Sequence, residues 1–188
     1  MDFYDSWDTI PFPEGQAKYT LEDLDPYARY ELFEGDVPSV FRVHAGDVTV
    51  DGPVCIGATG YDDVTMHIIE GDLTIHGGAV FSQHDHYGVL YVRGDLRCEN
   101  AFFDSDTRLY VDGTMRVKNL FITGYTSNAS KVVLGALEAI HWRRTWERGS
   151  IKFVRSDPEP QTIDDLQEQA VIEAVKAGDN AKLAELLG

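Results

Sequence analysis

The chain has 188 residues, 43% of them apolar, a length that suits one well-buried domain with at most a small appendage. No run approaches the roughly 18 apolar residues needed to span a bilayer, and the acidic N-terminus MDFYDSWDTIPFPEG is not a secretory signal. A formal net charge of −16 repels nucleic-acid phosphates and anionic membrane surfaces and favours basic protein partners. The expectation is a soluble cytoplasmic protein with no nucleic-acid or membrane partner.

The charge is unevenly placed. Residues 1–40 hold ten Asp/Glu against two Lys/Arg, residues 156–188 hold eight against two, and the stretch between holds fourteen against twelve. Within residues 1–40 the acidic positions alternate with Phe3, Tyr4, Trp7, Phe12, Tyr19, Tyr27, Tyr30 and Phe33, and several prolines interrupt the segment. This composition predicts an irregular, aromatic-rich cap.

From Gly46 onward a ten-residue phrase recurs: GDVTVDGPVC, then GDLTIHGGAV at Gly71, GDLRCENAFF at Gly94 and GTMRVKNLFI at Gly113. A worn copy, GALEAIHWRR, begins at Gly135, and the starts are 25, 23, 19 and 22 residues apart. Repeats of this length mark a solenoid. Two and four residues after each Gly stand apolar side chains: Val48 and Val50, Leu73 and Ile75, Leu96 and Cys98, Met115 and Val117, Leu137 and Ala139. Polar residues separate them, which is the period of a strand with one buried face. Gly52, Gly77, Asn100 and Asn119 follow as corner residues, since Gly and Asn accept positive φ most readily. A second short strand then carries Ala79–Phe81, Ala101–Phe103 or Leu120–Ile122, and a third precedes the next Gly with Ile69, Val92, Val111 or Val133.

Three short strands and three corners in about 22 residues predict one rung of a β-helix. The fold class is mainly β: a single-stranded right-handed parallel β-helix of about five rungs over 41–155, with caps at 1–40 and 156–188. An antiparallel sandwich shares the alternation but does not require self-similarity in register.

The copies differ most between the second strand and the third. These segments contain Tyr61, Asp62 and Asp63; His84, Asp85, His86 and Tyr87; Asp104 and Asp106; and Tyr125 with Asn128. Insertions in a solenoid gather along one edge, where such proteins commonly bind. After Asp157-Pro-Glu-Pro160, read as a linker, Thr162 and Asp165 suggest a helix N-cap box ahead of an apolar helical pattern over 163–176. Gly178-Asp179 interrupts the pattern and residues 180–187 resume it, predicting a helical hairpin packed on the solenoid.

No arrangement commits the chain to catalysis. His84 and His86 are two apart with no third ligand set by spacing, so no metal is expected. The carboxylates of Asp62, Asp63, Asp104 and Asp106 could serve glycoside hydrolysis, but nothing opposes them with a second carboxylate and turn-forming Asp accounts for them. Ser/His/Asp signatures, phosphate loops and dinucleotide fingerprints are absent. Cys55 and Cys98 lack zinc or disulfide spacing, and Cys98 takes a core position. His141-Trp-Arg-Arg-Thr-Trp-Glu-Arg148 is basic and aromatic, a composition that can bind single strands. Pairing with the acidic C-terminal helix is the favoured reading of that segment.

The phrases GDLTIHGG, GDLRCENAFF and YVDGTMRVKNL, with the intervening HDHYGVLYVRGDL, resemble a bacterial β-solenoid family with GDL-type rungs over about residues 40–140. Such proteins are similar to immunity proteins encoded beside polymorphic or secretion-system toxins. The resemblance implies a protein without a catalytic motif that binds and neutralises a cognate toxin. Taken with the composition, the expectation is a cytoplasmic, non-enzymatic binding protein without cofactors, monomeric or homodimeric. The expected contact residues are Tyr61, Asp62, Asp63, His84, Asp85, His86, Tyr87, Asp104, Asp106, Tyr125 and Asn128. The rung is also similar to bactofilin-type polymer-forming proteins, so a self-assembling scaffold is the alternative, with a carbohydrate-active β-helix enzyme behind it.

Overall fold

The alternating apolar and polar positions of the repeated phrase form strands that pair in parallel, copy against copy, in the computed structural model of the protein. The structure describes residues 7–19, 40–56, 65–83, 88–105, 108–124, 131–144, 151–155, 161–162 and 167–187. Their strands build three ladders. The first joins β2 (Val40–His44), β5 (Thr65–Ile69), β8 (Gly88–Val92), the starts of β10 (Arg108–Thr123) and β11 (Lys131–Arg144), and β12 (Ile151–Phe153). The second carries the phrase itself: β3 (Val48–Asp51), β6 (Leu73–His76), the start of β9 (Leu96–Ser105) and the middles of β10 and β11. The third joins β4 (Val54–Ile56), β7 (Gly78–Gln83), the ends of β9, β10 and β11, and β13 (Gln161–Thr162).

The fold is a parallel β-solenoid. Val48, Leu73, Leu96, Met115 and Leu137 fall in one register column, so the five copies of the phrase stack in sequence order. The central coils, residues 65–83, 88–105 and 108–124, each have a coil above and below. Register shifts between Val111 and Thr114 and between Val117 and Leu120 mark corners within the long strand β10. The first two corners in the chain are turned by Gly46 at φ 90° and Gly52 at φ 103°, conformations side chains rarely accept.

One apolar cluster draws on all three ladders and fills the interior. Ile69, Leu90, Val92 and Leu109 come from the first, Leu73, Leu96, Cys98 and Met115 from the second, and Ala79, Phe81, Phe103 and Phe121 from the third. Each large side chain so buried contributes about 1.5–3 kcal/mol of transfer free energy. Phe81, Phe103, Phe121 and Trp142 run through it with ring centroids 4.7, 4.9 and 5.9 Å apart. Edge-on aromatic contacts add to their burial.

The GD dipeptide has a purpose that alternation alone does not reveal. Asp47 Oδ1 accepts the backbone N–H of Asp72, Asp72 Oδ1 that of Asp95, and Asp95 Oδ1 that of Thr114, each at 2.8 Å. Each carboxylate thus fastens its own coil to the next. A Cβ at Gly71, Gly94 or Gly113 would overlap the carboxylate oxygen of Asp47, Asp72 or Asp95. Glycine is required there because the preceding coil's carboxylate and its backbone at Gly46, Gly71 or Gly94 together occupy the space.

The N-terminal cap is more regular than expected. Strand β1 (Asp8–Pro11) pairs antiparallel with β2, and helix α1 (Phe12–Lys18) follows. Trp7 is 8% exposed and belongs to the interior cluster, against the rings of His44 and His67 at 5.8 and 6.1 Å. Tyr19 stacks on Phe41 outside the first ladder and donates its hydroxyl to Glu70 at 2.5 Å. Outward-facing Phe41, Met66, Ile68, Val89, Tyr91 and Tyr110 form a second apolar cluster there with Tyr19.

At the other end, helices α2 (Glu168–Ala177) and α3 (Asn180–Leu187) form the expected hairpin, with Gly178 at φ 66° closing α2. The hairpin lies on the outer side of the third ladder. Val171, Ala174, Val175 and Leu183 pack on Val80, Phe102, Leu120 and Ile122. The expected start of the first helix is corrected: Thr162 belongs to β13, paired with Arg144, and α2 begins at Glu168. Pairing with the last long strand overrides the local N-cap signal. Residues 157–160 lie outside the described residues. No helix among the described residues is long and apolar enough to cross a membrane.

Candidate functional site

Each ladder has an outer side, and they differ in what lies over them. Apolar clusters involving the N-terminal cap and the helical hairpin lie over the first and third. The outward positions of the second are polar in most coils and form no such cluster among the described residues. One outward column reads Thr49, Thr74, Arg97, Arg116 and Glu138. Beside it Asp51 stands opposite His76, Lys118 pairs with Glu99, and Ile140 follows in β11.

Ion pairs hold this surface in order. Arg97 bridges Asp72 at 2.6 Å and Asp95 at 2.8 Å, and Arg116 bridges Asp95 and Glu138, the latter at 2.9 Å. Arg97 and the Asp95 N–H hold the Asp72 carboxyl below its ordinary range. For Asp95, burial opposes ionisation, but the Thr114 N–H and Arg116 outweigh it and keep that carboxyl low too. A network of several charges keeps its geometry better than an isolated surface pair. A shallow depression of about 640 Å³ crosses the face, with His76, Glu99, Lys118 and Ile140 in its lining.

A second concavity, of about 380 Å³, lies between α3 and the end of the solenoid. Leu120, Leu183 and Leu187 form its apolar wall, and Asn100, His141 and Arg143 supply polar groups. Asn100 is fully buried and donates its amide to Asn180 Oδ1 at 3.0 Å, while its own Oδ1 has no hydrogen-bond partner.

At the corner between the first and second ladders, Tyr91 donates its hydroxyl to Asp112 Oδ2 at 2.7 Å. Burial raises the Asp112 carboxyl above the usual range against the pull of Tyr91 and Arg93. Arg155 donates to the Asp112 carbonyl at 2.9 Å, tying the end of β12 back to the coil beneath.

Of the expected contact residues, the structure describes Asp104. It stands within β9 rather than on a loop, is 4% exposed, and sits beside Gly124 near Glu168. The expectation of a carboxylate offered to a partner or a sugar is corrected for this residue: continued strand pairing of β9 with β7 carries it under cover. Tyr61, Asp62, Asp63, His84, Asp85, His86, Tyr87, Asp106, Tyr125 and Asn128 lie outside the described residues. The segments that hold them are bracketed by ends of third-ladder strands and starts of first-ladder strands.

Of the basic His141–Arg148 segment, expected to pair with the acidic C-terminal helix, residues 145–148 lie outside the described residues. Neither His141 nor Arg143 forms an ion pair with a carboxylate of α2 or α3 among the described residues. The acidic side chains there turn elsewhere, as Glu185 does to Lys182 at 2.9 Å and Glu173 to Gln169 at 3.0 Å. Cys98 is buried, as its repeat position requires, with its thiol pushed up to about 12 by desolvation and then by Glu99. Cys55 is exposed, and both are free thiols. No group of three or more His, Cys, Asp or Glu among the described residues could hold a metal ion.

What the sequence reading missed was the ordered second face, although its signal was present as Arg97 and Arg116 above the repeated Asp72 and Asp95. Comparison with protein families, curated proteins and solved structures found no match to this chain.

Proposed function

We propose that the protein is a binding protein of the immunity type, which holds a basic partner protein, a bacterial toxin, and thereby neutralises it. The observation that supports this reading is the outer side of the second ladder, uncovered by any apolar cluster among the described residues, with its charged side chains already fixed by ion pairs. A surface ordered before binding loses less side-chain freedom on association. The net charge of −16 would steer a basic partner to it and favour that class over others. The resemblance of the GDL rungs to immunity-type solenoids points the same way.

Co-purification with the product of the neighbouring gene tests the proposal. A complex that weakens as salt is raised is expected, and it should weaken further when Thr49 and Thr74 on the open face are both changed to Arg. Absence of a complex at any salt concentration would sink the reading.

A further inference from the structure

The cavity beneath α3 combines three features that define a ligand. Its first is an unmatched cation. Arg143 has no ion pair among the described residues, and His141 stands beside it in a chain whose overall charge is strongly negative. Its second is Asn100, fully buried, whose Oδ1 accepts no hydrogen bond. Because its amide nitrogen is engaged by Asn180 Oδ1, the unmatched atom is the acceptor. A buried polar atom left unsatisfied is costly to the fold, and a ligand that satisfies it recovers that cost. The third is the wall of Leu120, Leu183 and Leu187, continued at the rim by Ile140, a large apolar side chain that is 71% exposed.

An inorganic anion would answer Arg143 alone and would set its oxygens against the Asn100 carbonyl. A purely apolar ligand would leave both polar groups unmatched. The combination required is a carboxylate, an N–H donor and an apolar side chain on one small frame. The volume, about 380 Å³, is within the range of about 300–1,000 Å³ common for small-ligand sites.

We infer that this cavity binds an N-acylated apolar amino acid, either free or as the C-terminal residue of a peptide. Its carboxylate pairs with Arg143, a peptide N–H is donated to Asn100 Oδ1, and its side chain lies on the leucine wall. The site lies over the third ladder and shares Ile140 with the face invoked for partner binding, but neither Arg143 nor Asn100 belongs to that face, so either reading can fail alone.

Titration calorimetry with acetyl-Ala-Leu, its C-terminal amide and acetyl-leucine tests the inference on the full chain. The free acid should bind at least about tenfold more tightly than the amide, as a charge-assisted pair requires. Arg143→Gln should abolish that preference and Arg143→Lys should restore part of it. Because Arg143 has no described ion-pair partner, the thermal transition of the Gln variant should match the parent, and this separates lost binding from lost folding. Acetyl-leucine binding as tightly as the peptide identifies a free acylated amino acid as the ligand, and weaker binding identifies a polypeptide C-terminus. Equal binding of acid and amide, or no saturable binding of any of the three at millimolar concentration, would overturn it.

Discussion

The carboxylate of Asp72 accepts the backbone N–H of Asp95 at 2.8 Å, one coil further along the solenoid. The same carboxylate is bridged by Arg97 at 2.6 Å, so one side chain closes both the backbone ladder and the surface network. Asp72→Ala should destabilise the protein by about 1–3 kcal/mol, since the Asp95 N–H loses its acceptor. Gly94→Ala should cost at least as much by the reverse route, because its Cβ would overlap both the Asp72 oxygen and the Gly71 carbonyl. In urea unfolding the double variant should lose less than the sum of the two singles by the share they have in the Asp72–Asp95 contact, while the overlap with Gly71 remains.

His67 gives a pH dependence that can be isolated. Burial first, and then the Arg42 charge, lower its imidazole to about 3, against about 6.5 for a free histidine. The unfolded chain therefore takes up the proton first, and stability falls as pH drops below about 6.5. Glu70, held low by Tyr19 and Lys18, and Asp72, held low by Arg97, lose their stabilisation only as pH falls further, below the ordinary carboxylate range. His67→Leu places an apolar side chain in the column of Leu90 and Leu109. Its melting temperature should be flatter than the parent's between about pH 4 and 6.5, with the acid limb below retained. An unchanged slope would remove His67 as the cause.

Phe103 lies between Phe81 and Phe121 in the aromatic column of the interior. Phe103→Ala should cost about 3–5 kcal/mol, and Phe103→Leu distinctly less because it leaves a smaller void. The midpoint of urea unfolding measures both.

Gly78 permits a close approach between solenoid and hairpin: a Cβ there would overlap the Val175 carbonyl. Gly78→Val should lift α2 from the third ladder and uncover Val80 and Phe102. Faster proteolytic cleavage within 167–187, with increased binding of a hydrophobic dye, is the expected result. Truncation after residue 155 should produce the same exposed surface and lead to aggregation visible by light scattering.

The architecture was legible because the phrase states the register directly: +2 and +4 apolar side chains leave one way to stack them. The hairpin was legible from Gly178 and the apolar spacing after it. The start of α2 was not, because Thr162 satisfies a local capping pattern yet is recruited by Arg144 in a neighbouring strand. Asp104 reads as a turn residue in DSDT, but nothing local discloses that pairing with β7 continues as far as Ser105. The ion-pair network escaped for a related reason: Arg97 and Arg116 are 19 residues apart in sequence and meet at Asp95 only once the coils are stacked.

The succession of carboxylate fastenings stops at Thr114, since the copy beginning at Gly113 carries Thr in place of Asp. Coils before that point are joined by an aspartate as well as by backbone pairing, whereas the β11 coil, likewise paired along its backbone with β10, has the Arg116–Glu138 pair and Arg155 in place of that aspartate. Amide protons of 136–144 should consequently exchange with deuterated solvent sooner than their counterparts in 73–81 and 96–103. The molecule then has a built-in order of loosening, beginning at the coil that borders the cavity beneath α3.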